Sequence, residues 1–451
     1  MSSALRNATS PQHNHTDFPI IMILRRFSVS TTTTLMQARS STPNTTLLCA
    51  AKNNIANKAN ANTNTKNNAF YVIDKQRLRT NHSRWMQHMP RITPHYAVKC
   101  NDDPGILSTL AEDCSTGFDC ASLSEMHSVL QYDNVSPSSI IFAHPIKEEH
   151  SLVEARRLGI RQMTADSSEE IVKIARLHPK AEVMLRILVD DSQAICQLGT
   201  KFGASMDEVP DILHTAAAHS VNIMGVAFHV GSGQTCPDAF ANAVRRARLA
   251  FDWAHNCGFD MRVLNIGGGF VDDSSFVQVA QTLNATIDQC FGNDVDVIAE
   301  PGRFYVQEST SLVTSVIGMK KHKNVENEDS VMLFVNDSIY GSFNNVIFDH
   351  ANVQPTALLR SDGSEINVCN TDTRCTIWGQ TCDGMDKICA QSLVNKEDVT
   401  VGDWLYWPSM GAYTSSAWSS FNGFLKPSVV YVDEVEKMME EEEEAAVEIA
   451  C

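Results

Sequence analysis

The sequence predicts an α/β protein, with a (β/α)8 barrel of the TIM type followed by a C-terminal β domain. About eight short apolar runs recur between residues 95 and 302, at the spacing of parallel strands joined by crossover helices. The stretches between these runs carry the apolar periodicity of helices. After residue 310 the pattern changes to β-rich runs between Gly/Asp turns, as in "SVMLFVND" and "DWLYWPS". These three observations define the fold class.

The connecting segments support alternation of strands and helices. "SSEEIVKIARLHP" opens with a hydroxyl cap and early acids, which favour the start of a helix. "CPDAFANAVRRARLAFDWAHNCG" has the same helical periodicity. The predicted strands are, in chain order, "HYAVK", "TGFDCA", "SIIFAH", "RQMTAD", "AEVMLRIL", "NIMGVAFHVG", "VLNIGGG" and "DVIAEPG".

The chain divides into five predicted segments. Residues 1–66 are rich in Ser, Thr and Asn and poor in acids, so we expect a disordered extension outside the fold. Residues 67–74 contain "AFYVID", a strand expected to join the β domain. Residues 75–309 form the predicted barrel, residues 310–432 the β domain, and residues 433–451 a solvated acidic tail.

Composition excludes several classes of partner. A net charge of −17 over 451 residues disfavours nucleic acid and anionic membranes, and no apolar run approaches the length of a membrane span. The charge suits a cationic small molecule, but on charge alone a role in solubility is the favoured explanation. The 13 cysteines lack C-x-x-C pairs, so we expect no metal site and a reducing compartment, the cytoplasm. Arginines among hydroxyl residues near the start are also compatible with an organelle transit peptide.

Lys99 ends an apolar, strand-like run in "HYAVKCN". A lysine in that position usually extends its ammonium to water. Alternatively, a walled pocket desolvates the amine, lowers its pKa and leaves a nucleophile for covalent catalysis. The residue alone leaves both interpretations open.

Several other predicted strand ends carry polar or glycine residues. Each has an ordinary explanation, such as a tight turn, a hydrogen-bonded core histidine or an ion pair within "EPGR". These explanations leave unexplained why so many strand ends at one edge of the barrel are polar together. The residues are Asp119, Arg186, His229, Gly267–Gly269 and Glu300.

A phosphorylated aldehyde cofactor accounts for these residues jointly. Gly267–Gly269 let backbone N–H groups approach an anion, and Arg303 and Ser232 add donors for the same phosphate. A carboxylate such as Glu300 facing a pyridine nitrogen keeps it protonated, and His229 is placed to stack on the ring.

The motifs "PHYAVKCND", "TGFDCAS", "KFGA", "FHVGSG", "IGGGF", "IAEPGR", "VNDSIYGSFN", "WGQTCDGMD" and "MGAYT" follow one another between residues 70 and 424. In order and spacing this span resembles the eukaryotic ornithine decarboxylases, pyridoxal-phosphate enzymes of the alanine racemase-like fold. The resemblance implies decarboxylation of L-ornithine to putrescine and CO2, the first step of polyamine biosynthesis. It implies pyridoxal 5'-phosphate as cofactor, held covalently by Lys99.

The resemblance also implies roles for individual residues. Catalytic roles fall to Lys99, Cys382, His229 and Glu300, with Cys382 returning a proton to Cα after CO2 leaves. The cofactor is contacted by Lys99, Asp119, Glu125, Arg186, His229, Ser232, Gly267, Gly268, Gly269, Glu300, Arg303 and Tyr413. The distal amine of the substrate is bound by Tyr340, Asp349 and Asp383.

In the resembled family the active sites are shared between two subunits. Cys382 and Asp383 would come from the partner, and Lys201 and Asp386 match an inter-subunit ion pair. We therefore expect a homodimer that binds a small cationic amino acid. An antizyme-like inhibitory protein is a further partner that the resemblance suggests.

Some features depart from the family pattern or leave alternatives open. Asn265 stands where the family usually has an acid, and "FVDD" replaces "FPG" after the glycines. A decarboxylase of lysine, arginine or diaminopimelate with the same fold is an alternative, because the placement of one carboxylate can change chain-length preference. The other alternative, a catalytically inactive regulatory homologue, is disfavoured by the presence of Lys99, Glu300, Arg303 and Cys382.

Overall fold

A computed structural model describes residues 44–60, 68–323, 329–366, 375–392, 394 and 398–433. These residues form a closed parallel barrel and a second, mainly antiparallel sheet, so the predicted fold class is confirmed. Residues 1–43 and 61–66 of the predicted extension, residue 67, and residues 434–451 of the predicted tail lie outside the described residues.

The N-terminal extension contains a helix, which corrects the expectation that all of it stays outside the fold. Helix α1 (Thr45–Asn60) packs against the first strand, β1 (Phe70–Asp74), and against that strand's neighbours in the sheet. Leu47, Ala51 and Ile55 recur every four residues and are buried there. Burial of this stripe stabilises a helix that the Asn-rich composition alone would not.

The barrel follows β1 directly, and each of its strands overlaps one of the eight predicted runs. Its elements are, in chain order, α2 (Lys75–His88), β2 (Ile92–Ala97), α3 (Pro104–Ser108), β3 (Gly117–Cys120), α4 (Leu123–Leu130), β4 (Ile140–Phe142), α5 (Glu149–Leu158), β5 (Gln162–Ala165), α6 (Ser168–Leu177), β6 (Glu182–Arg186), α7 (Val209–Ala218), β7 (Asn222–Ala227), α8 (Pro237–Asn256), β8 (Val263–Asn265), α9 (Phe276–Cys290), β9 (Asp296–Ala299) and α10 (Arg303–Val306).

The barrel strands pair in sequence order, and β9 closes the ring on β2. All eight pairs are parallel, so the carboxyl ends of the strands meet at one end. Apolar side chains fill the interior, among them Ile141, Met184 and Ile298. Because the centre is packed, chemistry is confined to the carboxyl end, as in other barrels of this type.

Amphipathic helices cover the outside of the barrel. The longest, α8, buries Phe240, Val244 and Phe251 and presents charged residues on its other side. In the described ranges, no helix combines the length and apolar character needed to cross a membrane.

The second sheet is built from the chain after residue 309 together with β1. Its elements are β10 (Thr310–Lys323), β11 (Asp329–Val335), α11 (Asn345–Phe348), β12 (Ala357–Leu359), β13 (Glu365–Ile366), β14 (Cys375–Trp378), β15 (Lys387–Ser392), β16 (Trp404–Trp407) and β17 (Ser428–Val432). The strand order is β13-β12-β16-β10-β11-β14-β15, and β1 lies between β10 and β17. We call this sheet with its loops the β domain.

Candidate active site

Lys99 lies one turn beyond the carboxyl end of β2, where its ammonium pairs with the carboxylate of Asp119 on β3. Asp119 is fully buried, whereas the Lys99 side chain is 39% exposed and faces the open end of the barrel. Loss of hydration lowers the pKa of Lys99, but the charges of Asp119 and Glu300 outweigh it and raise the pKa above its ordinary value. Of the two interpretations left open for Lys99, the one with a lowered pKa does not hold in this structure, because both carboxylates keep the ammonium charged.

Glu300 follows β9 and faces the same space. Its Oε1 accepts a hydrogen bond from Asn265 Nδ2 at 2.7 Å. Burial first, and then the negative charge of Asp119, raise the pKa of Glu300 above its ordinary value, while Lys99 and Asn265 act in the opposite direction. Lys99, Asp119 and Glu300 thus form one coupled charge cluster, as their common position at strand ends predicts.

His229 follows β7, and its Nδ1 accepts a hydrogen bond from the backbone N–H of Gly231 at 3.0 Å. That contact leaves the proton of the neutral ring on Nε2. Burial, reinforced by the positive charges of Arg186 and Lys99, lowers the pKa of His229 well below its usual value. The imidazole is therefore neutral at physiological pH, which suits a group that stacks on a ring.

The glycine turn after β8 packs against backbone on both sides. A Cβ on Gly267 would overlap the carbonyl oxygen of Phe228, and one on Gly268 would lie 2.6 Å from the carbonyl oxygen of Glu300 and 3.0 Å from His229 Nε2. Gly267 and Gly269 also have φ values of +65° and +101°, which L side chains rarely adopt. The turn therefore requires glycine at these positions.

Arg303, at the start of α10, lies beside this turn. One guanidinium nitrogen, Nη2, donates to Ser232 Oγ at 3.2 Å and to both carboxylate oxygens of Asp349 at 2.6 Å. The guanidinium carbon lies 5.4 Å from the centre of the Tyr413 ring. Three predicted phosphate ligands are thus together, and Asp349, predicted to bind the distal amine, lies among them in this structure.

Arg186 and Glu125 both lie within electrostatic reach of Asp119. The Arg186 guanidinium lies 5.3 Å over the Phe202 ring, and burial lowers its pKa despite nearby carboxylates. Glu125 reaches back to accept a hydrogen bond from the Ala121 N–H at 2.5 Å, while Ser122 Oγ accepts one from the Glu125 N–H at 3.3 Å. Ser122 thus caps the start of α4, and the Glu125 carboxylate binds the N–H of Ala121, one residue before the cap. Burial raises the pKa of Glu125 to about 7.

Cys382, Asp383 and Tyr340 lie in the β domain. Cys382 is exposed, and its N–H donates to Asn422 Oδ1 at 3.2 Å. The Tyr340 hydroxyl donates to Asp383, a hydrogen bond that lowers the pKa of this carboxyl. These described contacts all stay within the β domain, so they do not bring Cys382 or Asp383 to Lys99 of the same chain.

Asp386, predicted to pair with Lys201 of a second subunit, is engaged within its own chain. Only 1% of it is exposed, and it accepts hydrogen bonds from the Ile339 N–H at 3.0 Å, the Thr381 N–H at 2.9 Å and Thr381 Oγ1 at 2.6 Å. Lys201 lies 4.7 Å over the ring of Phe202. An ion pair with Lys201 of a second subunit would therefore be an additional contact for Asp386, because both of its carboxylate oxygens already accept hydrogen bonds.

Sequence reasoning missed the role of Asp272, which belongs to the unusual "FVDD" segment. Its buried carboxylate pairs with Arg77, at 2.7 Å, and with Arg84, both on α2. These two ion pairs hold the chain just beyond the glycine turn against α2. No local signal could have revealed it, because the arginines lie almost 200 residues away in the chain.

The barrel end combines an ion-paired lysine, a buried carboxylate, a neutral histidine and a glycine turn with an arginine beside it. This arrangement defines a barrel enzyme built around an anionic cofactor that a lysine can hold. Residues 75–307 match the family described as "Pyridoxal-dependent decarboxylase, pyridoxal binding domain". The chain belongs to this family.

Individual relatives extend the similarity beyond the barrel. An ornithine decarboxylase of Mus pahari is 41% identical over 379 residues, or 81% of this chain and 80% of that protein. Antizyme inhibitor 2 of Xenopus laevis is 41% identical over 376 residues, or 80% of each. The crystal structure of the Paramecium bursaria Chlorella virus arginine decarboxylase bound to agmatine is 37% identical with a TM-score of 0.77, covering 85% of this chain and 100% of that one.

Proposed function

We infer that this protein decarboxylates L-ornithine to putrescine and CO2 with pyridoxal 5'-phosphate, the first step of polyamine biosynthesis. The observation that carries the inference is the cluster of Lys99, Asp119 and Glu300 beside the glycine turn. Similarity to ornithine decarboxylases over about four fifths of the chain supports the substrate.

The described residues fit this cofactor. A Cβ at any of Gly267–Gly269 would overlap a backbone carbonyl oxygen, so this turn carries no side chains. Arg303 Nε is buried without a hydrogen-bond partner in the described part of the chain. Ser232 and Tyr413 complete a set of groups suited to a phosphate. Lys99 would hold the aldehyde end, and Glu300 the ring nitrogen.

When bound, pyridoxal phosphate takes up the electron pair that remains on Cα as CO2 departs. The protein supplies the electrostatics around that event. Glu300 would keep a proton at the ring nitrogen, and neutral His229 would lie against the ring without adding charge. Asp119 orients the Lys99 amine. Cys382 would supply the proton that Cα needs after CO2 departs.

Substrate choice would rest on carboxylates that meet the distal ammonium. The hydrogen bond from Tyr340 lowers the pKa of Asp383, and Asp349 forms an ion pair with Arg303 at 2.6 Å. A substrate whose side chain has the right length would place its distal ammonium between Asp349 and Asp383. A shorter or longer side chain would leave one of these carboxylates unpaired.

A homodimer with shared sites would bring Cys382 and Asp383 to Lys99. Large apolar side chains next to these acids are exposed in the single chain: Phe348 is 73% and Met385 is 69% exposed. Apolar surface of this kind beside functional residues suits a subunit interface.

The same proposal extends to location and regulation. The proposed location is the cytoplasm, because the pattern of cysteines in the sequence favours a reducing compartment. An antizyme-like inhibitory protein is proposed as a further partner, on the similarity to antizyme inhibitor 2. That relative also represents the alternative of an inactive regulator, and the intact cluster around Lys99 favours the enzyme.

Two measurements test the chemistry. Reduction of the loaded protein with borohydride should fix the cofactor on the peptide that contains Lys99, whereas Lys99→Ala should remain unlabelled. Turnover of ornithine, lysine, arginine and diaminopimelate should then be compared at equal enzyme concentration. Label on another lysine, or a higher kcat/KM for one of the other substrates, would refute the corresponding part of the proposal.

The shared site is tested by complementation. Lys99→Ala and Cys382→Ala should each be severely impaired, because every site in either homodimer has a lesion. After exchange, random pairing makes half of the dimers mixed, each with one intact site, so activity should recover to about a quarter of wild type. If exchange is demonstrated with differential tags and activity does not recover, Cys382 acts within its own chain.

A further inference from the structure

The loop between β11 and α11 turns sharply and carries Tyr340 at the middle of the turn. Five successive backbone N–H groups, those of residues 338–342, each donate to a side-chain oxygen. Most backbone N–H groups in proteins bond to backbone carbonyls instead, so this run of side-chain acceptors is a specific arrangement. We call residues 338–342 the Tyr340 turn.

Asp337 precedes the Tyr340 turn and binds both of its ends. Its Oδ1 accepts from the Ser338 N–H at 2.7 Å and from the Ser342 N–H at 3.0 Å. A Cβ on Gly341 would lie 2.1 Å from the same oxygen, so glycine at that position leaves room for the carboxylate. Only 2% of Asp337 is exposed, and burial raises its pKa to about 6. A carboxylate buried to this degree needs hydrogen-bond donors, and the turn provides them.

Two other side chains bind the middle of the turn. Ser338 Oγ accepts from the Tyr340 N–H at 3.1 Å and from the Gly341 N–H at 3.0 Å. Asp386 Oδ1 accepts from the Ile339 N–H at 3.0 Å. The backbone on both sides of the Tyr340 side chain is therefore held in one conformation.

The turn is also joined to the segment that carries Cys382 and Asp383. The Gln380 N–H donates to the carbonyl oxygen of Asp337 at 3.2 Å. The Tyr340 hydroxyl donates to the Asp383 carboxylate. A displacement of the turn would therefore move this hydroxyl away from Asp383.

We propose that Asp337 is a positioning residue, which holds the Tyr340 turn and thereby directs the Tyr340 hydroxyl to Asp383. The consequence for substrate binding rests on the proposed function, whereas the contacts of Asp337 with the turn do not. Asp337→Ala removes the acceptor and leaves two backbone N–H groups without it. Asp337→Asn has the same shape and keeps the Oδ1 acceptor, so it should preserve the turn.

The first test measures hydrogen exchange of the Tyr340 turn in the full-length protein, by mass spectrometry of the peptide that contains it. Exchange should be at least about tenfold faster in Asp337→Ala than in wild type, and Asp337→Asn should stay within about threefold of wild type. Gly341→Ala is a second variant with the same expected acceleration, because its Cβ would displace the carboxylate without removing it. Asp362→Ala is the matched control: its Oδ1 accepts from the Ser364 N–H at 2.8 Å in an exposed turn of the same domain, so the Tyr340 turn should exchange as in wild type.

The second test asks whether the effect on substrate passes through the Tyr340 hydroxyl. Asp337→Ala should raise the KM for ornithine at least about fivefold and change kcat by less than about threefold, because Asp383 is proposed to meet the distal ammonium and not the reacting atoms. Asp337→Asn should restore a KM close to that of wild type. In a Tyr340→Phe background, Asp337→Ala should add less than about twofold, because the hydroxyl that it directs is already absent.

The two tests separate this inference from the proposed function. If the turn exchanges as fast in wild type as in Asp337→Ala and Gly341→Ala, Asp337 does not hold it and the inference is refuted, whatever the activity. If exchange changes as expected but the KM does not, or if the effects of Asp337→Ala and Tyr340→Phe simply multiply, the positioning of Tyr340 is refuted. If exchange changes as expected but wild type does not turn over ornithine, the proposed function fails and the assignment of Asp337 to the turn stands.

Discussion

Helix α1 offers a direct test of the packing between the N-terminal segment and the β domain. We expect the double substitution Leu47→Ala and Ile55→Ala to destabilise the protein strongly. Both residues are 1% exposed and contact the cluster that includes Phe70 and Trp404. Such a loss would show that burial of large side chains, rather than the helical propensity of the Asn-rich segment, stabilises the packing of α1 on the β domain.

The magnitude follows from the two sites. Replacing a buried Leu or Ile by Ala costs about 2–5 kcal/mol, and a helix at the edge of a core can partly relax, so about 2–3 kcal/mol each is expected. Leu47 and Ile55 are eight residues apart, about 12 Å along the helix, so their effects should add to about 4–6 kcal/mol. That is a large part of the stability of an ordinary domain, about 5–15 kcal/mol.

Urea unfolding followed by tryptophan fluorescence measures this loss, because Trp404 lies in the same cluster. Asn57→Ala on the exposed side of α1 is the matched control and should change the free energy of unfolding by less than about 0.5 kcal/mol. If the double variant unfolds at the same urea concentration as this control, α1 does not contribute to the fold as described.

Three further outcomes are expected. Gly267→Ala should lose cofactor binding measured by absorbance, since the residue has φ +65° and its Cβ would overlap a carbonyl oxygen. Glu125→Gln should stabilise the cofactor-free protein at pH 8 and not at pH 5, by urea unfolding. Burial raises the folded-state pKa of Glu125 from 4.5 to about 7. The wild type therefore loses stability as pH rises through that range, by an amount on the order of 1–3 kcal/mol. Tyr340→Phe should raise the KM for ornithine at least about fivefold with a smaller change in kcat, because Asp383 loses its donor.

The barrel was predictable because its signal is local and repeated. Each strand is a short apolar run that ends in polar or glycine residues, and the parallel order follows from helical connections. Helix α1 was missed because its stripe of Leu47, Ala51 and Ile55 is narrow, and the surrounding Asn and Thr dominate the composition. The four-residue spacing of these apolar residues is visible in the sequence and predicts a helix with one buried face.

The chemistry of the site was harder to predict than its location. The pKa of Lys99 depends on Asp119 and Glu300, which belong to strands distant in sequence. The pairing of Arg303 with Asp349 joins the barrel to the β domain in the same way. The helix cap at Glu125 is local by contrast, because Ser122 and Glu125 lie within the four residues "SLSE".

The position of β1 has a consequence for the order in which the protein can be assembled. The eight barrel strands are complete once residue 299 has been synthesised, and they need no later strand to close the ring. Strand β1 instead pairs with β10 and, in parallel, with β17 at residues 428–432. During translation, β1 therefore cannot complete its pairing until β17 has been synthesised, whereas the barrel between them can already fold. Contacts of such long sequence separation form slowly. The barrel should thus mature first, and the completion of the β domain should set the pace at which the two halves of the catalytic apparatus become competent.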